Sequence, residues 1–248
     1  MKKDALLESI VSIAHEAGEA ILSFYHQPIQ VMEKSDHSPL TLADEAAHRV
    51  IADRLQKLTP DIPILSEEGS IPDWSIRQTW SRFWLVDPLD GTKEFIKKNG
   101  EFTVNIALIE SGKPTMSVIY APALAKTWLA DGDNVWRETV LGRESIQALS
   151  STVPTVVSSR SHPSEELAAY LMVLGDHKTL TMGSSLKFCL IAEGRAQYYP
   201  RFGLTMMWDT AAGQCIVESA GAKVSLISGE TLSYHRETLL NSMFFCSL

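Results

Sequence analysis

One stretch decides how this chain is interpreted: Trp84-Leu85-Val86-Asp87-Pro88-Leu89-Asp90-Gly91-Thr92. An apolar run typical of a strand leads into two carboxylates three residues apart, and a proline, a glycine and a threonine restrict the turn. Burying unpaired carboxylates is costly, so Asp87 and Asp90 are not expected to belong to the apolar core. Acidic oxygens that converge at a strand end are typical of a Mg²⁺ site, and such sites usually serve phosphate chemistry.

The composition is that of an ordinary globular protein with one large core or two closely packed halves. The chain has 248 residues, of which 45% are hydrophobic and 21% are charged. Its formal net charge of −8 argues against binding to duplex nucleic acid, because that surface would need a basic stripe. A small anionic ligand held through metal ions is compatible with this charge.

The cysteines and the N-terminus indicate a compartment. Cys189, Cys215 and Cys246 form neither a disulfide framework nor a metal-type spacing, so a reducing cytoplasm is the simplest interpretation. The start, Met1-Lys2-Lys3-Asp4, lacks the apolar core of a signal peptide, and no apolar run reaches membrane-spanning length. Peripheral contact with the cytoplasmic face of the inner membrane stays an alternative, and the oligomeric state stays open.

The first half, about residues 1–150, is predicted to be α+β. Residues 4–26 have the pattern of an amphipathic helix, and Thr41 begins a second helix with Asp44 at the capping-box spacing. A short strand at residues 62–65 ends in Ser66-Glu67-Glu68-Gly69, and a strand at residues 83–87 follows. Alternation at residues 102–110, 114–121 and 126–130 then predicts a β-meander.

The second half, residues 151–248, is predicted to be α/β because strands and helices alternate. We expect strands near residues 155–159, 179–182 and 196–199, and helices near residues 164–174, 184–193 and 209–220. Both halves are expected to pack as one unit, so that groups from each meet in a cleft between them.

Acidic residues recur where these elements begin or end, and each has a purely structural alternative. Asp44 fits a capping-box carboxylate, Asp209 fits a helix N-cap, and the paired Glu67-Glu68 fits a solvated turn. Asp87 and Asp90 fit such an alternative least, because the proline between them restricts the backbone. The joint pattern favours one shared site.

Three motifs together resemble the inositol monophosphatase superfamily of lithium-sensitive, Mg²⁺-dependent phosphatases. They are Glu67-Glu68, Asp87-Pro88-Leu89-Asp90-Gly91-Thr92 and Trp208-Asp209-Thr210-Ala211-Ala212-Gly213. They occur in the family's order and extend over nearly the whole chain. The resemblance implies a layered α/β/α/β/α sandwich, which agrees with the pattern of predicted elements.

Within this superfamily the chain looks most like the bacterial 3′(2′),5′-bisphosphate nucleotidases. The closer likeness lies in Lys93-Glu94-Phe95 and in residues 99–105, 183–187 and 199–203. It implies hydrolysis of adenosine 3′,5′-bisphosphate to AMP and phosphate, with the 5′-phosphosulfate form as a further substrate and a place in sulfur assimilation. The alternatives are an inositol or sugar monophosphatase with the same metals, and a non-catalytic member that binds RNA or protein.

The resemblance implies a set of metal ligands. Glu67, Asp87 and the backbone carbonyl of Leu89 would hold one Mg²⁺. Asp87, Asp90 and Asp209 would hold a second Mg²⁺, and Glu67 would help to hold a weaker third. A bridging Asp87 would keep two cations within roughly 4 Å of each other, which suits attacking and leaving oxygens in one displacement.

The same resemblance implies a catalytic pair. Thr92 and Asp44 would orient the attacking water, with the Thr92 hydroxyl hydrogen-bonded to Asp44 so that a proton has an acceptor. Glu67 would share in catalysis through the third ion. The segment Asp36-His37-Ser38-Pro39 resembles the family's mobile loop, and Lys93 and Glu94 are expected to form an exposed pair.

Substrate contacts are expected from both halves. The metal ligands Glu67, Leu89 and Asp90 of the first half, with Asp209 of the second half, would face the reacting phosphate together with the N–H groups of Gly91 and Thr92.

In the second half, the other phosphate would meet Ser184, Ser185 and Lys187, for which a helix cap with a solvated lysine is the alternative. Arg160 and His162 are candidates for ribose or phosphate contacts, or else belong to a solvated loop. Tyr199 and Arg201 would border the adenine, or Tyr199 is simply packed in the core.

One segment departs from the family pattern beside the expected base pocket. It is Leu204-Thr205-Met206-Met207, where relatives tend to have a proline in place of Leu204 and a polar residue before the tryptophan. The departure affects the expected base preference and not the metal ligands.

Overall fold

The computed structural model describes residues 2–27, 31–33, 39–160 and 165–248. Within these residues the helices are α1 (Lys3–Tyr25), α2 (Leu42–Leu58), α3 (Trp74–Arg77), α4 (Thr92–Ile96), α5 (Glu165–Leu174), α6 (Leu186–Ala192) and α7 (Met207–Ser219), with a 3₁₀ turn at Pro122–Leu124. The strands are β1 (Val31–Glu33), β2 (Pro39–Thr41), β3 (Ile64–Ser66), β4 (Arg82–Asp90), β5 (Thr103–Glu110), β6 (Lys113–Ala121), β7 (Lys126–Ala130), β8 (Val135–Thr139), β9 (Gly142–Ser145), β10 (Thr155–Ser159), β11 (Lys178–Met182), β12 (Tyr198–Arg201), β13 (Thr205–Met206), β14 (Lys223–Leu226), β15 (Leu240–Asn241) and β16 (Phe244–Ser247).

The first two helices form as their patterns predict. The apolar side chains of α1, among them Ile10 and Ile21, are buried at helical spacing. At the start of α2 the Thr41 side chain accepts from the Ala43 N–H, and the Asp44 side chain accepts from the Thr41 N–H. The predicted capping box is therefore confirmed.

A seven-stranded sheet forms the centre of the first half. Its strand order is β3-β4-β5-β6-β7-β8-β9, with β3 parallel to β4 and every later pair antiparallel. The predicted meander is confirmed, but β8 and β9 were not predicted from the sequence. Neither strand has a clear apolar face, since β8 is buried only at Val135 and β9 is exposed throughout, so alternation is weak there.

A five-stranded sheet forms the centre of the second half. Its order is β11-β10-β12-β16-β14, with parallel pairing of β10 to β11 and β12 and antiparallel pairing at β16. The predicted α/β alternation is confirmed up to α7, but β13 to β16 were missed. The strand expected at residues 196–199 lies later, at Tyr198–Arg201, and contains Pro200, which is unfavourable in a strand pattern because it lacks an N–H.

The elements stack in five layers. Helices α1 and α2 share one core with the large sheet, and a second core joins the other face of that sheet to α6, α7 and the small sheet. Successive residues of β16 point to opposite faces, so Phe244 stacks on Phe188 of α6 while Phe245 contacts Tyr170 of α5. The α/β/α/β/α sandwich is therefore confirmed. The division of the chain near residue 150 stays a prediction.

Candidate active site

A β-bulge aligns the two aspartates of the decisive stretch. Asp87 pairs with Asn105 and Asp90 pairs with Thr103, so an advance of three residues along β4 matches two residues along β5. In a regular strand, residues three apart point to opposite faces. The extra residue cancels that alternation and brings both carboxylates to the same side of the sheet.

The strand then turns sharply into α4. Gly91 has φ +92°, and a Cβ there would lie 3.1 Å from the Glu101 carbonyl oxygen. This position therefore favours glycine strongly, because other residues would be strained and crowded. The turn places Thr92 at the start of α4, facing α2.

Three carboxylates meet at this corner of the molecule. Oxygens of Glu67, Asp87 and Asp209 all lie within 4.8 Å of one another. Glu67 follows β3, Asp87 lies at the bulge of β4, and Asp209 lies in the first turn of α7. Asp209 is the third helical residue and not the N-cap considered from sequence, and its Oδ2 accepts from the Met206 N–H at 2.8 Å.

Burial and neighbouring like charges change the acidity of two of these carboxylates, Asp87 and Asp209. Burial, followed by the charge of Glu67, raises the pKa of Asp87 well above its usual range. Burial, followed by the charge of Asp90, raises the pKa of Asp209 to about 8. An ion that bound here would remove the repulsion, and hard carboxylate oxygens in a compact group suit a divalent cation such as Mg²⁺. The donor set therefore fits the metal that the resemblance implies.

Asp90 lies beside this group but is held by other partners. Its Oδ2 accepts from the Ser185 N–H at 2.6 Å and from the Asn105 side-chain amide at 3.3 Å. Among the described residues, the group of three mutually close carboxylates does not include Asp90. Burial raises the pKa of Asp90 to about 6. Its role as a metal ligand stays a prediction.

The hydrogen bond expected between Thr92 and Asp44 is present. The Thr92 hydroxyl donates to Asp44 Oδ1 at 3.1 Å and lies 3.4 Å from the Leu89 carbonyl oxygen. The other carboxylate oxygen of Asp44 accepts from the Thr41 N–H at 2.8 Å and from the Thr41 hydroxyl at 2.6 Å. Asp44 therefore caps α2 and orients Thr92 at once.

A cleft next to the carboxylates brings the two halves of the chain together. From the first half it is lined by Glu67, Asp90, Gly91, Thr92, Lys93 and Glu94. From the second half it is lined by Ser159, Gly183, Ser184, Lys187, Phe188, Tyr199, Arg201, Thr205, Asp209 and Thr210. Most of the residues expected to contact substrate therefore surround one cleft, although their roles stay predictions.

Lys187 and Tyr199 form part of the cleft wall from buried positions. Lys187 is only 5% exposed, and its ammonium donates to the carbonyl oxygens of Ser184 and Met182. Burial lowers the pKa of Lys187 to about 8. Tyr199 lies 5.5 Å from this ammonium, and its ring packs edge-on against Phe188. Tyr199 is thus a packed tyrosine as well as a cleft residue.

Arg201 has a buried donor atom without a hydrogen-bond partner among the described residues. Its Nη2 donates to the Leu204 carbonyl oxygen at 3.0 Å, while its Nε is buried without a hydrogen-bond partner in the described part of the chain. Leaving a buried donor unsatisfied is unfavourable, so an acceptor from a ligand would stabilise this arrangement. The Leu204 side chain is 70% exposed and does not line the cleft.

Two expected substrate contacts have other partners in the structure, and a third lies outside the described residues. Ser185 is buried, its N–H donates to Asp90 and its hydroxyl bonds to Asn105 and Thr103, so it supports Asp90 from behind. Arg160 forms a two-point ion pair with Glu101 and does not line the cleft. His162 lies outside the described residues, as do residues 36–38 of the expected mobile loop.

The structure corrects the expectation that Lys93 and Glu94 form an exposed pair. Lys93 is exposed, but Glu94 is 5% exposed and faces the cleft. Glu94 lies on the first turn of α4 and is packed against Gly183, whose Cβ would lie 2.6 Å from Glu94 Cγ. A contact from a distant segment therefore helps to bury Glu94, and this contact could not be predicted from the residues next to Glu94 in the sequence.

Several supporting residues carry roles that the sequence did not predict. Asn105 holds Asp90, Glu101 binds Gly183 and Arg160, and Asn241 donates to the Thr205 hydroxyl and the Met206 carbonyl next to Asp209. A polar residue inside an apolar strand, as at Asn105 in β5, is the one signal that could have indicated such a role.

Comparisons with known proteins agree with this site. The model of the inositol monophosphatase family matches residues 2–246. The chain therefore belongs to the inositol monophosphatase family, as the resemblance of its three motifs predicted. None of the described helices has both the length and the apolar character required to cross a membrane.

The relatives with high identity carry one particular name. The 3′(2′),5′-bisphosphate nucleotidase CysQ of Salmonella typhimurium is 54% identical over 96% of this chain and 98% of that protein. The protein of the same name from Escherichia coli K12 is 52% identical over 98% of this chain and 100% of its own length. The crystal structure of CysQ from Bacteroides thetaiotaomicron is 39% identical, covers 98% of this chain and 97% of its own, and has a TM-score of 0.87.

Proposed function

We propose that this chain is a divalent-metal-dependent phosphomonoesterase that hydrolyses adenosine 3′,5′-bisphosphate to AMP and phosphate. The observation that carries the proposal is the group of Glu67, Asp87 and Asp209 beside the hydrogen-bonded Thr92 and Asp44. The names of the full-length relatives support this substrate. The 5′-phosphosulfate form is a further proposed substrate, which would place the reaction in sulfur assimilation.

The chain's own residues account for the proton in this reaction. Divalent cations, once bound, would make water a stronger nucleophile and stabilise charge on the phosphate oxygens. The Thr92 hydroxyl donates to Asp44, so its oxygen lone pairs are directed away from Asp44 and can accept from a water in the cleft. A proton taken by Thr92 can pass to Asp44, which two Thr41 donors hold in place.

The metal set that we propose has two Mg²⁺ ions and a weaker third. Glu67, Asp87 and the Leu89 carbonyl would hold the first ion, and Asp87, Asp90 and Asp209 would hold the second. Asp90 can contribute its Oδ1, since Oδ2 is engaged by Ser185 and Asn105. We also propose that Li⁺ competes for one of these sites and lowers the rate.

The cleft also has a basic side, formed by residues of the second half of the chain, that suits a second anionic group. The buried ammonium of Lys187 and the guanidinium of Arg201 line it together with Ser184. A substrate with a single phosphate would leave these cations without an anionic ligand, whereas a bisphosphate would contact the acidic and basic residues of the cleft together. This charge pattern favours a nucleotide bisphosphate over an inositol monophosphate.

A substrate panel tests the proposal. Phosphate release is measured from adenosine 3′,5′-bisphosphate, inositol 1-phosphate and a sugar phosphate, each with and without Mg²⁺. We expect rapid Mg²⁺-dependent release from the bisphosphate and slow release from the others. Preference for inositol 1-phosphate would support the alternative phosphatase, and salt-sensitive RNA retention without turnover would support a binding protein.

We place this reaction in a reducing cytoplasm. The three cysteines are buried and free, which is typical of proteins that are not stabilised by disulfides. The proposed partner is a small-molecule nucleotide, with no role for duplex nucleic acid.

A further inference from the structure

The turn between β11 and α6 is strained and closely packed. Ser184 has φ +45°, a left-handed conformation that is unfavourable for serine. A Cβ on Gly183 would lie 2.8 Å from the Glu101 carbonyl oxygen, so only glycine allows this approach. Backbone strain of this kind persists when surrounding contacts hold the segment in place.

Two carboxylates of the first half hold this turn at its two ends. The Gly183 N–H donates to Glu101 Oε2 at 2.7 Å, and the Ser185 N–H donates to Asp90 Oδ2 at 2.6 Å. Asp90 belongs to the proposed metal site, but Glu101 does not line the cleft. The contact made by Glu101 is therefore separate from the acidic group.

Glu101 is itself held by an ion pair across the two halves. Arg160 donates from Nε to Glu101 Oε2 and from Nη2 to Glu101 Oε1, both at 2.7 Å. Arg160 also donates to the Thr181 carbonyl oxygen at 3.0 Å. The Glu101 side chain is 16% exposed, and such a two-point pair orients it firmly.

The conformation of this turn determines where the Lys187 ammonium lies in the cleft. Lys187 donates to the carbonyl oxygens of Ser184 and Met182, which flank Gly183. A displacement of the Gly183 N–H from Glu101 would move both acceptors. The ammonium of Lys187 would then move with them.

We propose that Glu101 is a positioning residue, which acts through the Gly183–Ser184 turn to place Lys187 for the second phosphate of the substrate. This inference rests on the proposed function, because it assigns the second phosphate to the basic side of the cleft. Arg160 serves the same purpose by fixing Glu101 and by neutralising its charge near an anionic ligand. The role resembles that of outer partners that orient a binding group without touching the ligand.

The test compares two substrates that differ by one phosphate. The KM and kcat of Glu101→Ala are measured on adenosine 3′,5′-bisphosphate and on adenosine 3′-monophosphate at saturating Mg²⁺. We expect KM for the bisphosphate to rise about tenfold, the size expected when one charge-assisted hydrogen bond is lost. For the monophosphate, which lacks the second phosphate, we expect KM and kcat to stay within about twofold of wild type.

Further variants separate positioning from general destabilisation. Glu101→Gln keeps an acceptor for the Gly183 N–H and should raise KM for the bisphosphate less than Glu101→Ala does. Arg160→Lys keeps the positive charge beside Glu101 and should partly preserve the KM for the bisphosphate. Glu16→Ala removes a remote surface ion pair with Arg54 and should leave KM and kcat for both substrates unchanged. If Glu101→Ala does not fold, Glu101→Gln decides by the same comparison.

Equal losses on the two substrates, or no change on either, would overturn the role of Glu101. A wild-type protein that hydrolyses neither adenosine compound would instead overturn the proposed function, before any variant is compared.

Discussion

The acidic side of the cleft gathers residues from separate segments that short local motifs orient, whereas the basic side depends on contacts between segments far apart. Asp87 and Asp90 owe their common direction to one bulge, and Asp44 owes its direction to the capping box of α2. On the basic side, Lys187 depends on carbonyl groups of a strained turn that distant carboxylates hold.

The difference separates two kinds of effect. The acidic side would bind the metal ions and act on the reacting phosphate, so damage there should reduce turnover of every substrate. The basic side would recognise the second phosphate, so damage there should change the preference between substrates. The predictions that follow test this separation.

Removing a bridging carboxylate should have the largest effect. Asp87→Asn keeps the shape of the side chain but removes the charge shared by both proposed ions. We expect kcat/KM to fall at least about a thousandfold on the bisphosphate and the monophosphate alike, since metal ions supply several kcal/mol of transition-state stabilisation. Steady-state kinetics and Mg²⁺ calorimetry measure the loss, and Asp61→Asn, on the exposed surface, is the matched control. A variant that retains normal turnover contradicts the metal assignment.

Loss of the Thr92 hydroxyl should rank second. Thr92→Val removes the donor to Asp44 but keeps the side-chain volume, so kcat should fall roughly a hundredfold, as general base catalysis contributes on that scale. Thr92→Ser keeps the hydroxyl and should retain most of the activity. Similar kcat values for the valine and serine variants would show that the hydroxyl has no part in proton transfer.

Removal of the buried ammonium should change substrate preference. Lys187→Met keeps an unbranched chain, and we expect KM for adenosine 3′,5′-bisphosphate to rise roughly thirtyfold, since hydrogen bonds to charged groups are worth about 1.5–3 kcal/mol. The KM for adenosine 3′-monophosphate should change far less. Lys223→Met, at an exposed position of β14, serves as the control. A parallel loss on both substrates would assign Lys187 to the acidic side instead.

The smallest effect concerns stability and pH. The folded pKa values of Asp90 (about 6) and Asp209 (about 8) lie above the unfolded value of about 4. Between these values the metal-free folded state binds more protons than the unfolded state, so its stability falls as pH rises. Mg²⁺ should therefore raise the melting temperature more at pH 8 than at pH 5.5, as calorimetry can measure. An equal shift at both pH values would contradict the raised pKa values of these two carboxylates.

The acidic side could be predicted well from sequence because a short local motif marks each of its residues. Turn residues, capping spacing and alternation lie within a few positions of one another, and the structure confirms the capping box, the meander and the contact of Thr92 with Asp44. The weakly patterned strands β8 and β9 escaped prediction because they bury little apolar surface.

The supporting residues could not be predicted in the same way. Nothing next to Ser185 in the chain indicates that its N–H would bind Asp90, and nothing near Glu94 indicates that Gly183 would help to bury it. Arg160 looked available for a ligand, yet Glu101 engages it. Each of these outcomes depends on a contact between distant segments.

The linear order of residues was thus sufficient to indicate most helices, the meander and the candidate acidic residues, since periodicity and donor chemistry are short-range properties, while the family resemblance implied the layered arrangement. The folded arrangement added the identity of the supporting side chains and the partners of each cation. Those depend on how the two halves pack against each other, because a buried polar group takes whichever partner lies within hydrogen-bonding distance.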